Sequence, residues 1–107
     1  KQVATLEGYQ IGGHEELRII SWNINGLIRK LSDEDFLSDL NSYDIVLLSE
    51  TWISSKHQCN LEIDGSNSIH IYGQKSYGVK RGRQSGGISV YYKQELKTKI
   101  CVVEKLD

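Results

Sequence analysis

The chain has 107 residues, of which 38% are hydrophobic and 25% are charged, and its formal net charge is −1. This length suits one small domain or part of a larger one, and the composition excludes a disordered tail. No apolar run is long enough to span a bilayer, and no signal segment opens the sequence. We therefore expect an intracellular protein that does not associate with membranes.

The first features in chain order are a linker, a strand and a turn. Residues 1–16 show no convincing period, so we interpret them as a leader or linker, with the domain itself at residues 17–107. The start of this domain, LRIISWN, is short, β-branched and aromatic, which predicts a strand that ends at Asn23. Asn25 and Gly26 then form a strong turn signal.

A compact helix signal follows. Ser32 is a good N-cap residue, and Asp35 three positions later has the spacing of a capping box. Phe36 and Leu40 place apolar side chains on one helical face, and Asn41 ends the pattern. The sequence therefore predicts one short amphipathic helix capped by Ser32.

Residues 44–50 (DIVLLSE) complete a strand–helix–strand unit. Their core, residues 45–48, is a continuous apolar run, which is typical of a strand covered on both faces. A crossover at residues 24–43 is long enough to join two parallel strands, and the right-handed rule places the helix over one face of the sheet.

The remainder of the chain favours antiparallel pairing. Strands are predicted at residues 68–72, 87–93 and 99–104, and a glycine-rich basic loop at residues 73–87 separates the first two. The whole pattern predicts an α/β fold with a mixed sheet and a crossover helix.

Charge is unevenly distributed. Residues 31–64 carry eight acidic side chains and one lysine, whereas residues 65–107 carry eight basic and three acidic side chains. The basic part includes Lys80, Arg81 and Arg83, which could contact backbone phosphates without sequence preference. An exposed, solvated loop gives the same pattern, and both interpretations stand on the sequence alone.

Asn23 and Glu50 stand at the ends of the two predicted parallel strands. The carboxyl ends of parallel strands lie at the same edge of a sheet, where ligands of open α/β sheets bind. A carboxylate oxygen from Glu50 suits a hard cation such as Mg²⁺, and Asn23 offers a neutral carbonyl oxygen and two N–H donors. Each residue taken singly also fits an ordinary strand end.

Three segments in order resemble the endonuclease/exonuclease/phosphatase superfamily. They are LRIISWNINGL at residues 17–27, DIVLLSETW at residues 44–52 and QSGGISVYYK at residues 84–93. The resemblance implies part of a four-layer α/β sandwich of the DNase I-like type, incomplete at its C-terminal end. It also implies hydrolysis of DNA phosphodiesters with Mg²⁺ as cofactor, or Mn²⁺ in its place.

The resemblance implies roles for particular residues. Asn23 matches the family asparagine that binds the phosphate and organises the metal site, and Glu50 matches the metal-coordinating glutamate. Trp52, beside Glu50, could pack against DNA. Asn25 and the SETW string resemble non-LTR (LINE-type) retrotransposon endonucleases, which nick target DNA, although Asn25 also fits a plain turn.

The retrotransposon subtype would place the chain in the nucleus, fused to a reverse transcriptase. Two alternatives within the superfamily stay open: an abasic-site repair endonuclease and a phosphatase. A third alternative is a non-catalytic remnant or binding module. The catalytic aspartate and histidine of the later family motifs have no match in this sequence, so we expect the chain alone to be inactive.

Overall fold

The computed structural model describes residues 1–11, 14–74, 85–101 and 103. They form one five-stranded mixed sheet with the strand order β1-β2-β3-β5-β4, and a single α-helix packs on one face of it. The elements are β1 (Gln2–Ile11), β2 (His14–Asn23), α1 (Glu34–Leu40), β3 (Ile45–Ser49), β4 (Ser66–Ile71) and β5 (Ile88–Lys93). None of the helices in the described ranges is long and apolar enough to cross a membrane.

The crossover unit predicted from the sequence is present. Strands β2 and β3 pair in parallel from Ile19 opposite Ile45 to Asn23 opposite Ser49. The connection carries α1, whose Phe36 and Leu40 are buried on the sheet. This confirms the parallel pair, the apolar helix face and the mixed sheet.

The helix N-cap lies one residue later than predicted. The Asp33 carboxylate, and not the Ser32 hydroxyl, accepts hydrogen bonds from the backbone N–H groups of Asp35 (3.0 Å) and Phe36 (3.3 Å). Ser32 instead ends a short 3-10 helix at Lys30–Ser32. Both residues are good cap formers, and the prediction chose Ser32 for its capping-box spacing to Asp35, so it was wrong by one residue.

The sheet face beneath α1 holds the main hydrophobic core. Strand alternation sends every second side chain to this face. Ile20 in β2, Leu48 in β3 and Tyr91 in β5 are fully or almost fully buried there. The Tyr91 hydroxyl donates a hydrogen bond to the backbone carbonyl of Leu61, and burial raises the pKa of Tyr91.

The opposite face is only partly covered. Leu17 and Leu96 form a small second core with neighbouring half-buried side chains. Further along the same face, Leu47 keeps 39% and Ile88 keeps 47% of its surface exposed. The prediction that the apolar run of the third strand is covered on both faces is therefore wrong for this structure.

Two further sequence predictions need correction. Residues 1–16, interpreted as a leader or linker, contain β1 and the start of β2, which pair antiparallel as an edge hairpin. In the segment predicted as a strand at residues 99–104, the described residues 99–101 and 103 adopt no strand. Weak alternation hid the first strand, whereas β-branched residues near 102 suggested the second.

Candidate functional site

One end of the sheet gathers the chain segments that carry the candidate residues. Asn23 ends β2 and pairs with Ser49 at the end of β3, and Ser49 pairs with Ile88 at the start of β5. Ile88 in turn pairs with Ile71 at the end of β4. We call this edge, with Glu50 and the two glycines before β5, the sheet rim.

The chain turns sharply as it leaves β3. Glu50 (φ +53°) and Trp52 (φ +58°) both adopt the left-handed conformation, which is rare for residues other than glycine. Backbone hydrogen bonds hold this turn from two sides. Gly26 donates to the Glu50 carbonyl at 2.8 Å, and Trp52 donates to the Gly86 carbonyl at 2.9 Å. The turn is therefore fixed between the loop after β2 and the segment before β5.

The Glu50 carboxylate is held by two donors at the rim. Its Oε2 atom accepts a hydrogen bond from the Trp52 indole Nε1 at 2.9 Å and another from the Gly86 backbone N–H at 3.3 Å. Glu50 is half-buried. Among the described residues, no hydrogen-bond donor contacts its other oxygen, Oε1, so this atom can take an external ligand.

Gly87 lets the β5 segment approach the turn closely. Its φ is +92°, and a Cβ atom added there would lie 2.5 Å from the Thr51 hydroxyl oxygen. Thr51 is fully buried, and its backbone N–H donates to the Gly87 carbonyl at 3.3 Å. Gly86 and Gly87 are thus part of the Glu50 support. Both glycines belong to the SGG string of the family resemblance, but that string did not indicate that they support Glu50.

Asn23 and Asn25 lie beside this turn. Asn23 is exposed at the end of β2, one position before the Ile24 N–H that donates to the Ser49 carbonyl at 3.1 Å. Asn25 is also exposed and has a φ of +52°, so it does act as a turn residue. The structure brings the backbones of Asn23 and Glu50 to one rim.

The remaining candidate residues are Trp52 and the basic residues of the glycine-rich loop. Trp52 is half-buried, and its ring packs over Gly26, where an added Cβ would lie 3.0 Å from the indole. The other tryptophan, Trp22, packs against Phe36 with ring centroids 5.3 Å apart. The basic residues predicted to contact phosphates, Lys80, Arg81 and Arg83, lie outside the described residues.

The donor set at the rim fits one side of a hard-cation site. The second carboxylate oxygen of Glu50, Oε1, and the amide oxygen of Asn23 are suitable ligands for Mg²⁺. Within the described ranges, no group of three or more histidine, cysteine, aspartate or glutamate side chains could hold a metal ion. A cation here would therefore keep several water or substrate ligands, as Mg²⁺ commonly does.

Comparison with known proteins gives consistent results. Residues 20–105 match the Endonuclease/Exonuclease/phosphatase family. An exodeoxyribonuclease of Bacillus subtilis (strain 168) is 38% identical over 81 residues, which are 74% of this chain and 29% of that protein. The crystal structure of the Xenopus laevis APE2 catalytic domain is similar with a TM-score of 0.51 and 29% identity, over 70% of this chain and 23% of that one.

These similarities span more than two thirds of the chain and less than a third of each relative. The likeness to the APE2 catalytic domain confirms the predicted fold class, a DNase I-like α/β arrangement with a mixed sheet and a crossover helix. The family match includes the rim residues Asn23, Glu50 and Gly86. On this evidence, the chain belongs to the Endonuclease/Exonuclease/phosphatase family.

Proposed function

We propose that this chain supplies the Asn23–Glu50 half of the active site of a Mg²⁺-dependent DNA endonuclease. The observation that carries the proposal is the Glu50 carboxylate. It stands at the carboxyl end of a parallel strand with one oxygen held by Trp52 and Gly86. The other oxygen is left for a ligand, and a hard cation such as Mg²⁺ prefers carboxylate oxygens, so the placement of Glu50 at this rim favours a cation site.

The residues of the chain would divide the work. Glu50 would bind the cation through Oε1, and Asn23 would hold a phosphate oxygen or orient the cation or a nucleophilic water, without adding negative charge beside the phosphodiester. When bound, Mg²⁺ supplies Lewis acidity that polarises the phosphate and stabilises the leaving oxygen, and Mn²⁺ can replace it. No residue of the described rim is placed to act as a general base, so activity would also require the longer family domain.

DNA is proposed as the substrate because one matched relative is named an exodeoxyribonuclease. Internal nicking of the retrotransposon type is proposed on Asn25 and the SETW string at residues 49–52. This subtype predicts a reverse transcriptase on the same full-length protein and nuclear localisation. Phosphate contacts from Lys80, Arg81 and Arg83 are proposed separately, on the positive charge of that segment.

A chimaeric enzyme tests the proposed function. The matched segment of this chain replaces the corresponding 81 residues of the Bacillus exodeoxyribonuclease, and nicking of supercoiled plasmid is measured with Mg²⁺. We expect nicking that Glu50→Ala lowers about a hundredfold or more, because a catalytic metal supplies several kcal/mol. Glu62→Ala removes an exposed carboxylate outside the rim and should leave the rate unchanged. Full nicking by the Glu50→Ala chimaera would overturn the metal role.

Exonucleolytic cleavage is the second candidate, favoured by the name of the Bacillus relative. The two candidates differ in the ends they require. An endonuclease converts closed circular plasmid to nicked circles, whereas an exonuclease leaves closed circles intact and releases nucleotides from a labelled linear duplex. Release from the linear duplex without plasmid nicking would replace the endonuclease proposal with the second candidate.

A further inference from the structure

We propose that Trp52 is a positioning residue for Glu50: its indole N–H fixes Oε2 so that Oε1 faces a divalent cation. The inference rests on the proposed cation site and adds to it a role for a neighbouring side chain. The sequence suggested a different role for Trp52, packing against DNA.

The geometry of the indole supports a role directed at the carboxylate. The Trp52 Nε1–H donates to Glu50 Oε2 at 2.9 Å, a normal length for a good N–H···O bond. The Gly86 N–H reaches the same oxygen at 3.3 Å. Because both donors contact Oε2, the lone pairs of Oε1 are left for another ligand. In metal sites, hydrogen bonds of this kind orient the ligating carboxylate and tune its affinity.

The backbone around Trp52 is shaped to make this contact. Trp52 at φ +58° and Glu50 at φ +53° are both left-handed, and a bulky residue in this region is a genuine outlier. Such conformations persist only where the surrounding structure determines them, and they concentrate at functional sites. Here the double turn folds the indole back onto the side chain two positions earlier in the chain.

Gly26 packs against the ring of Trp52. An added Cβ at Gly26 would lie 3.0 and 3.2 Å from two atoms of the Trp52 ring, so the ring lies directly against the backbone of the loop after β2. That loop is tied to the turn by the Gly26 N–H bond to the Glu50 carbonyl at 2.8 Å. The indole is therefore fixed on its ring face and at its N–H, and both restraints hold Glu50 at the rim.

Nuclear magnetic resonance can observe this contact directly in the whole 107-residue chain. The sequence has two tryptophans, so a ¹⁵N-labelled sample gives two indole N–H signals, assigned with Trp22→Phe and Trp52→Phe. We expect Mg²⁺ to shift the Trp52 signal saturably and to leave the Trp22 signal in place, since the half-buried Trp22 ring packs against Phe36. Glu50→Gln should abolish the saturable shift.

Cation affinity gives the second measurement. Calorimetric titration with Mn²⁺ should show weaker binding for Trp52→Phe by about 10- to 100-fold, the usual effect of removing an outer hydrogen-bond partner of a metal ligand. Phenylalanine keeps an aromatic ring and lacks only the N–H donor and the second ring. Trp22→Phe is the matched control and should bind Mn²⁺ within about twofold of the unchanged chain.

The outcomes separate the two proposals. Mn²⁺ binding that depends on Glu50 but is unchanged in Trp52→Phe overturns the positioning role and leaves the cation site intact. Binding that ignores Glu50→Gln, or no saturable response in the unchanged chain, overturns the cation site itself. If both indole signals shifted together, the cation would be changing the fold as a whole. That result would also overturn the positioning role.

Discussion

The two faces of the sheet differ although the same strands build both. Under α1, Ile20, Leu48 and Tyr91 are almost completely buried, whereas on the opposite face Leu47 and Ile88 keep 39% and 47% of their surface exposed. The difference shows that apolar composition alone does not report coverage. Coverage follows from which elements pack on each face: in the described residues, the first face carries the α-helix, whereas the opposite face carries only the short 3-10 helix Gln94–Leu96.

The largest expected difference in stability is therefore between alanine substitutions at two neighbouring residues of β3, Leu47 and Leu48. Leu48→Ala is expected to lower the free energy of unfolding by about 2–5 kcal/mol, because it leaves a cavity in the covered core. Leu47→Ala is expected to lower it by less than about 1 kcal/mol, because its side chain is already well exposed. Urea denaturation at low protein concentration measures both. Equal losses would show that the two faces are covered alike.

The rim depends on glycine where the two segments touch. Gly87→Ala should destabilise the chain by about 1–3 kcal/mol, since the new Cβ would lie 2.5 Å from the Thr51 hydroxyl and φ is +92°. Gly65→Ala is the matched control: its φ is +80°, but nothing lies within 4 Å of an added Cβ. Gly65→Ala therefore reports backbone strain alone. If Gly87→Ala lowered the free energy of unfolding by less than Gly65→Ala, the close approach of Gly87 to Thr51 would not contribute to stability.

The buried phenol of Tyr91 on the covered face makes stability depend on pH. Burial raises the pKa of Tyr91, so the folded chain keeps this proton at a pH where the unfolded chain releases it. Stability is therefore complete below about pH 10 and falls as pH rises above it, by about 1.4 kcal/mol per unit for one proton. Tyr91→Phe should flatten this decline. Denaturation curves above about pH 10 that decline identically in the unchanged chain and in Tyr91→Phe would refute the buried-phenol explanation.

The helix cap gives the smallest expected effect. Asp33→Ala should cost about 1 kcal/mol, since its carboxylate accepts hydrogen bonds from two backbone N–H groups of the first turn. Ser32→Ala should change stability by less than about 0.5 kcal/mol, as for other surface positions. Thermal denaturation distinguishes the pair, and a larger loss at Ser32 would restore the cap assignment made from the sequence.

Local patterns predicted the part of the fold with strong periodicity. The strand–helix–strand unit followed from a β-branched run, a capped amphipathic helix and a second apolar run, and it placed Asn23 and Glu50 at one edge. The strand β1 was missed because its residues alternate weakly and its pairing partner is a separate strand, β2. Pairing of this kind depends on the neighbouring strand, which a local window does not contain.

The support of Glu50 could not be predicted from the sequence. Its elements come from three separate segments, namely Gly26, Trp52 and Gly86, and only the folded sheet brings them together. The sequence identified the glutamate and the SGG string as features of the family. The left-handed turn at residues 50–52 had no local signal, because neither Glu50 nor Trp52 is a residue type that favours positive φ.

The central claim is that Glu50 holds a divalent cation at the sheet rim, and crystallography with Mn²⁺ tests it most directly. We expect an anomalous difference peak in coordination distance of Glu50 Oε1, with Oε2 still bonded to the Trp52 indole, and no such peak in Glu50→Ala. A peak at the rim that persists in Glu50→Ala would contradict this claim. So would Mn²⁺ peaks that lie only at other places on the chain.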